Sequence, residues 1–376
     1  MIRFFGKIGL IVLPLMVVTL GLSGLAWHTG EALPIADVVS RQQLAKDIIF
    51  GTRMLEDIMP YKLSTYKKRQ PQILILGSSQ LLQFRAEFFS KDPDAVYNAS
   101  GGGWRLPQLI QFYQQLETLP AIVILGVDLF WFNAQVEQVS RATSARNVHS
   151  GLEGIRLGTI ETVHKLLGGD LSFADMIRRR DPVFDRQVIG LKALEISFGF
   201  RADGSLQRGL LVANPRIRAE RVESDIRRFE GLGFSYTAGD QLNNATLDLL
   251  SGFLDHLDSD GVEVIGITTP YHFDIYEKMQ QSGAYSYMEK AVPRLEELFS
   301  LYKFPYYFFG DMREWGAAYE EWYDGHHSAE SNSLRMILAM IEDHAELFVT
   351  YADHQAINDL LRNFENPMDV FGEYQS

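Results

Sequence analysis

Ile73-Leu74-Ile75-Leu76-Gly77-Ser78-Ser79-Gln80 is a short apolar run that ends abruptly in glycine and two serines, with a helical pattern following over 81–89. The run is too short for a helix, and Pro71 and Gly77 punctuate it at either end, so it reads as a buried strand. Three later runs have the same character, at 121–127, 262–268 and 304–309, each bounded by Gly, Pro or Asp. Helical patterns at 105–119, 243–257 and 287–301 separate them. Strands that alternate with helices pair in parallel, because each helix carries the chain back to the edge it left, and both faces of the sheet are then covered. The expected fold is α/β, a three-layer sandwich around a mostly parallel sheet.

That domain is expected over residues 71–350. It is interrupted at about 134–240 by a stretch richer in Arg, Asp and Gly, including Arg178, Arg179 and Arg180, which reads as an insertion. Residues 351–376 supply a last amphipathic helix, at 352–364, and a polar end. No internal repeat or low-complexity tract is visible, which argues against a solenoid or a linker-dominated chain.

Residues 8–27 carry no charge. At about 1.5 Å rise per residue such a helix crosses a hydrocarbon core of about 30 Å. Arg3 and Lys7 precede it, so the positive-inside rule keeps the N-terminus in the cytoplasm and sends everything after His28 across the membrane. Residues 1–28 are then an anchor. Residues 29–70, polar and helix-compatible with Lys62, Lys67, Lys68 and Arg69 before Pro71, read as a stalk. A cleaved signal peptide is the competing reading, with Gly24 and Ala26 as small residues for a cleavage site. The apolar stretch exceeds the usual h-region of about 7–15 residues, which favours a retained anchor. Pro14 inside the span marks a kink and a contact with another membrane protein.

The formal charge of −13 argues against a broad nucleic-acid surface, which depends on clustered Lys and Arg. With no cysteine, the chain has no disulfide, thiolate zinc site or Cys nucleophile. No P-loop, dinucleotide glycine fingerprint or Gly-x-Ser-x-Gly elbow is present.

A serine where a parallel strand meets a helix stands at the carboxyl edge of the sheet, where open α/β proteins place ligands and where free N–H groups suit a developing negative charge. The same residues serve equally as a plain N-cap. Near the C-terminus, Asp324-Gly325-His326-His327-Ser328 precedes a helical run at 332–342. A carboxylate three residues ahead of an imidazole can orient the ring and stabilise its cation while the ring takes a serine proton. Alone, the pattern also describes a helix-entry turn. Asp324, His326 and His327 invite a metal reading, but adjacent histidines rarely point the same way. His272 and Asp274 lie past another strand end, where they line either the same cleft or a loop. Phe130, Trp131 and Phe132 wall the site or fill the core.

Taken in order, Gly77-Ser78-Ser79, Asn98-Ala99-Ser100-Gly101-Gly102-Gly103 and Asp324-x-x-His327 resemble the sequence blocks of SGNH hydrolases. The resemblance implies an SGNH or flavodoxin-like fold. It casts Ser79 as nucleophile, Gly103 and the Ser79 N–H as oxyanion donors, and Asp324 with His327 as the acid–base pair. Two blocks depart from the pattern. Ser78 replaces the usual Asp, as in the membrane-anchored D-alanyl transfer proteins of teichoic acid synthesis (the DltD type) and in envelope proteins that act beside a membrane-bound O-acyltransferase. The Gly-x-Asn-Asp block is absent, and the matching strand runs Gly126-Val127-Asp128-Leu129-Phe130-Trp131-Phe132-Asn133. Asn133 substitutes there by residue type as a third oxyanion donor, and a turn-forming Asn is the other reading.

The resulting expectation is a membrane-anchored extracytoplasmic serine acyltransferase or esterase, periplasmic or at the cell surface, acting on ester-linked acyl groups of a cell-envelope polysaccharide. Its partners would be an acyl donor or acylated glycan and a membrane-bound O-acyltransferase, with no nucleic acid, cofactor or metal. The competing expectation is a non-catalytic SGNH-like accessory protein that scaffolds such an acyltransferase or a polymer-export complex.

Overall fold

The computed structural model of the protein describes residues 2–53, 57–136 and 151–374. Among these residues the strands are β1 (Ile49–Phe50), β2 (Ile73–Leu76), β3 (Val96–Asn98), β4 (Ile122–Gly126), β5 (Val188–Ile189), β6 (Phe198–Phe200), β7 (Leu206–Arg208), β8 (Glu263–Thr268) and β9 (Tyr306–Phe308). They form two sheets, and the chain divides into two compact units.

The larger unit comprises Thr65–Ala142, Asp203–Leu206 and Leu211–Ser376. Its sheet has the order β3-β2-β4-β8-β9, with every neighbouring pair parallel. β2 and β4 are buried along their whole length, as strands covered on both faces must be. Ile73, Ile75, Ile122, Ile124, Ile265 and Ile267 pack with Leu334, Ile337 and Met340 of the helix Glu330–Asp343. Each such side chain contributes about 1.5–3 kcal/mol on burial. Elsewhere on β8, Gly266 lies under Phe299 of the helix Ser286–Leu301, so close that a Cβ would meet the ring at 2.3 Å. The chain runs from β2 to β3 on one side and then to β4 on the other. The strand order therefore reverses between β2 and β4, and connections leaving in opposite directions open a crevice at their carboxyl ends.

The structure differs locally from the sequence reading at residues 81–89 and at β3. Residues 81–89 hold no α-helix; 3₁₀ turns at Ser79–Leu81 and Ala86–Phe88 take its place. The carbonyls a helix would use are taken by other donors: Asn98 Nδ2 holds those of Leu81 and Phe84 at 2.8 and 2.9 Å, and the Leu206 N–H holds that of Leu82 at 2.8 Å. Asp203 then caps the Ala86 N–H at 2.7 Å. The second difference is β3, which pairs with β2 but whose three residues are too few to show a period.

The smaller unit comprises Met1–Ser64, Thr143–Ala202 and Gln207–Leu210. The segment read as a stalk is folded here: it carries the helix Ile35–Leu44 and β1, which pairs with β5 and β6 from the segment read as an insertion. A fully buried carboxylate helps hold these segments together. Glu31 accepts the Leu191 N–H at 2.7 Å, the Thr52 hydroxyl at 2.7 Å and the Arg53 N–H at 2.8 Å. Residues 137–150 of the presumed insertion lie outside the described residues.

The helix Ile2–Thr29 contains a stretch, Val12–Thr29, long and apolar enough to cross a membrane. Val12, Leu13, Leu15, Val17 and Leu20 are exposed, whereas Leu25 joins the apolar cluster of Ile49, Met176 and Leu191. Ser23 and Thr159 of the helix Gly151–Gly168 share a hydrogen bond at 3.0 Å.

Candidate active site

The crevice at the β2–β4 switch is a cleft of about 370 Å³ lying wholly within the larger unit. Its floor comes from the strand ends. The Ser78 hydroxyl accepts the Gln80 N–H at 3.2 Å and its carbonyl accepts the Leu81 N–H at 3.3 Å, so Ser78 caps the 3₁₀ turn on which Ser79 stands. Both serines line the cleft.

The β3–helix loop faces them. Asn98 Oδ1 accepts the Ser100 N–H at 3.0 Å, and the Gly101 N–H reaches the Gly77 carbonyl at 3.0 Å, which ties the glycine loop to the serine turn. The Trp104 N–H closes onto the Gly101 carbonyl, and Gly103 has φ +72°, the left-handed conformation that this turn position reserves for glycine. Gly103 lines the cleft beside Trp104 and Arg105.

The turn Asp324–His327 supplies the third side. Asp324 Oδ1 accepts the backbone N–H groups of His326 and His327 at 3.1 and 2.9 Å, so the turn reading of the motif holds in the backbone. The same carboxylate also meets His327 Nδ1 at 2.8 Å, and His327 Nε2 lies 2.9 Å from Ser79 Oγ. Asp324, His327 and Ser79 thus form one hydrogen-bonded chain. Gly325 permits the tight approach, since a Cβ there would come within 2.5 Å of both the Tyr236 hydroxyl and Ile275.

His326 also borders the cleft, where its ring is turned to Tyr236. Its Nδ1 pairs with the Tyr236 hydroxyl at 2.8 Å. Burial, with Asp324 and Asp225 nearby, raises the Tyr236 pKa far above the usual phenol range. Asp225, whose pKa burial also raises, accepts the Gly325 N–H at 3.0 Å. Asp225, Leu232, Gly233, Ser235 and Tyr236 all line the cleft although they come from the stretch read as an insertion. Nothing in the chain's local pattern marks them, since the contacts that bring them here are long-range.

Asn133 is not brought to the cleft. Its side-chain N–H groups are spent on the carbonyls of Thr237 and Ala238 at 2.8 and 3.2 Å, and its oxygen accepts the Gln135 N–H at 2.9 Å, so it clamps a loop and has no donor left for an oxyanion. Phe130 lines the cleft, while Trp131 and Phe132 are fully buried. Asp324, His326 and His327 offer metal-ligating atoms within 4.8 Å of one another, yet both ring nitrogens of His327 already face the carboxylate and the serine. That donor set suits proton transfer better than a closed metal shell. The chain matches no family model, no curated protein and no solved structure.

His272 is likewise outside the cleft. It caps the helix Phe273–Ser282 by accepting the Asp274 N–H on Nδ1 at 3.3 Å, packs against Tyr319 and Trp322, and is fully buried. Burial lowers its pKa from 6.5 to about 4. The unfolded chain therefore takes up a proton that the folded chain refuses across that window. The stability contributed by this group is complete above pH 6.5 and is lost as the pH drops towards 4, by up to about 3 kcal/mol. His272→Asn keeps a capping side chain and removes the titration. Denaturant unfolding at neutral pH and near pH 4.5 should show the wild type losing stability to this variant as the medium is acidified. An equal change in both would refute this role.

Proposed function

We propose that the protein is a membrane-anchored extracytoplasmic serine acyltransferase or esterase of SGNH type, acting on ester-linked acyl groups of a cell-envelope polysaccharide. The carrying observation is the hydrogen-bonded chain from Asp324 through His327 to Ser79 at the floor of a cleft. A three-layer SGNH fold is supported by the strand order, which counted along this sheet alone is 2-1-3-4-5, the flavodoxin-like order.

In this reading Ser79 Oγ bonds to the ester carbonyl carbon as its proton passes to His327 Nε2, and Asp324 stabilises the imidazolium. The carbonyl electron pair moves onto oxygen, which the N–H groups of Ser79 and Gly103 receive. Collapse breaks the bond to the leaving oxygen, which takes the proton back from Nε2 and leaves an acyl-serine. A glycan hydroxyl or water then attacks along the same path in reverse. Trp104, Phe130 and Tyr236 beside Arg105 and Asp225 give the cleft the mixed aromatic and polar lining that sugars require. Labelling with a serine-reactive fluorophosphonate tests the reading: wild type should be modified at Ser79, and an unlabelled wild type would remove it.

The exposed apolar residues Val12–Leu20 support an anchor, and Arg3 and Lys7 ahead of it support a cytoplasmic N-terminus. Alkaline phosphatase fused after Ser376 of the full chain should be active, and a reporter that works only in the cytoplasm should be silent there. The reverse pair of results would invert the topology.

A further inference from the structure

Asp128 stands in an unusual position for a carboxyl group. Leu76 on β2 is in register with Leu125 on β4, so the two segments leave the sheet side by side, and past the strand ends Asp128 meets Ser78, the neighbour of Ser79. Asp128 is only 3% exposed, yet it lines the cleft. Its carboxyl hydrogen-bonds the Ser78 hydroxyl, and Oδ2 has no partner. A buried polar atom left unpaired costs about 1–3 kcal/mol, so one on a residue that lines a cleft calls for a ligand. Tyr271 beyond β8 interacts with it electrostatically, and the other titratable or charged groups of the cleft are Tyr236 and Asp225 on the wall from residues 225–236, Arg105 on the glycine loop, and His326.

We propose that Asp128 is a further catalytic residue, whose neutral carboxyl donates an Oδ2–H hydrogen bond to the tetrahedral oxyanion formed at Ser79. The proposal rests on the serine acyl-transfer reading. No proton is transferred: the carboxyl keeps its hydrogen while the oxyanion exists. Asp128 thereby occupies the third donor role, which Asn133 cannot fill. A neutral carboxyl at ordinary pH is consistent with its surroundings, because burial raises its pKa from 3.8 to about 7. The donor is present below that pH and is lost as the group ionises above it, when a negative charge would face the oxyanion.

The experiment follows fluorophosphonate labelling of Ser79 in the full-length, detergent-solubilised protein from pH 5 to 9, since the phosphoryl oxygen uses the same donors. The wild-type rate should fall as the pH rises past about 7. Asp128→Asn, a permanent donor of the same shape, should label within about threefold of the wild type at low pH and lack that fall. Asp128→Ala should label roughly 10²–10³-fold more slowly at low pH. If the alanine variant fails to fold, as melting curves would reveal, the asparagine variant and its pH profile decide alone. An asparagine variant that retains the alkaline fall, or that labels at least a hundredfold more slowly than wild type, overturns the proposal and leaves the serine reading standing. A wild type that does not label at any pH removes both.

Discussion

Ser79→Ala is expected to lower kcat by about 10⁴-fold or more and to abolish fluorophosphonate labelling, whereas Ser78→Ala should cost no more than about tenfold. The two serines are neighbours in the same turn, so the difference has to come from where their hydroxyls go. Ser79 Oγ lies 2.9 Å from His327 Nε2, the acceptor its proton needs. The Ser78 hydroxyl is buried and engaged in capping the Gln80 N–H and in bonding Asp128. Removing it loosens the turn by about 1 kcal/mol and deprives Asp128 of its partner without removing a reacting atom. Both variants should be compared by acyl-ester turnover, by labelling and by melting temperature. A matched loss in the two variants, or loss in Ser78→Ala alone, would move the nucleophile or dissolve it.

Much of this site could be read from the chain because its parts are local. A four-residue apolar strand ending in glycine and serine, and a carboxylate three residues before a histidine, are each arranged by a few consecutive residues. The structure adds the 248-residue separation across which His327 meets Ser79. The parts that escaped are those fixed by distant partners. The stretch 81–89 has helical spacing, but Asn98 and Leu206 take its carbonyls. Asn133 has the right residue type for an oxyanion donor, but Thr237 and Ala238 take its N–H groups. Residues 29–64 are polar enough to pass for a stalk, yet Glu31 and β1 tie them to residues 188–200. Asp128 carried a usable signal: it is the first polar residue after a buried strand, at an edge where ligands bind.

Asp324→Asn is expected to lower kcat by about 10⁴-fold while leaving the fold in place. Asp324 has two tasks. Its Oδ1 accepts the His326 and His327 backbone N–H groups, which an asparagine oxygen can also do, so the turn should survive with a loss of about 1 kcal/mol or less. The second task depends on charge and polarity. With an acceptor-only carboxylate at 2.8 Å, His327 Nδ1 must carry the ring proton, and Nε2 is left free to accept from Ser79. An asparagine amide that keeps its oxygen on the backbone turns its NH₂ towards Nδ1. The ring then moves its proton to Nε2, which can no longer serve as a base. The negative charge that stabilises the imidazolium is lost at the same time. Two measurements separate this from simple unfolding: melting temperature should stay within a few degrees, and the activity lost should not return at saturating substrate, because ground-state binding is untouched. A variant within tenfold of wild-type kcat would show that Asp324 does no more than fold the turn, and the acid–base pair would have to be sought in His326 and Tyr236.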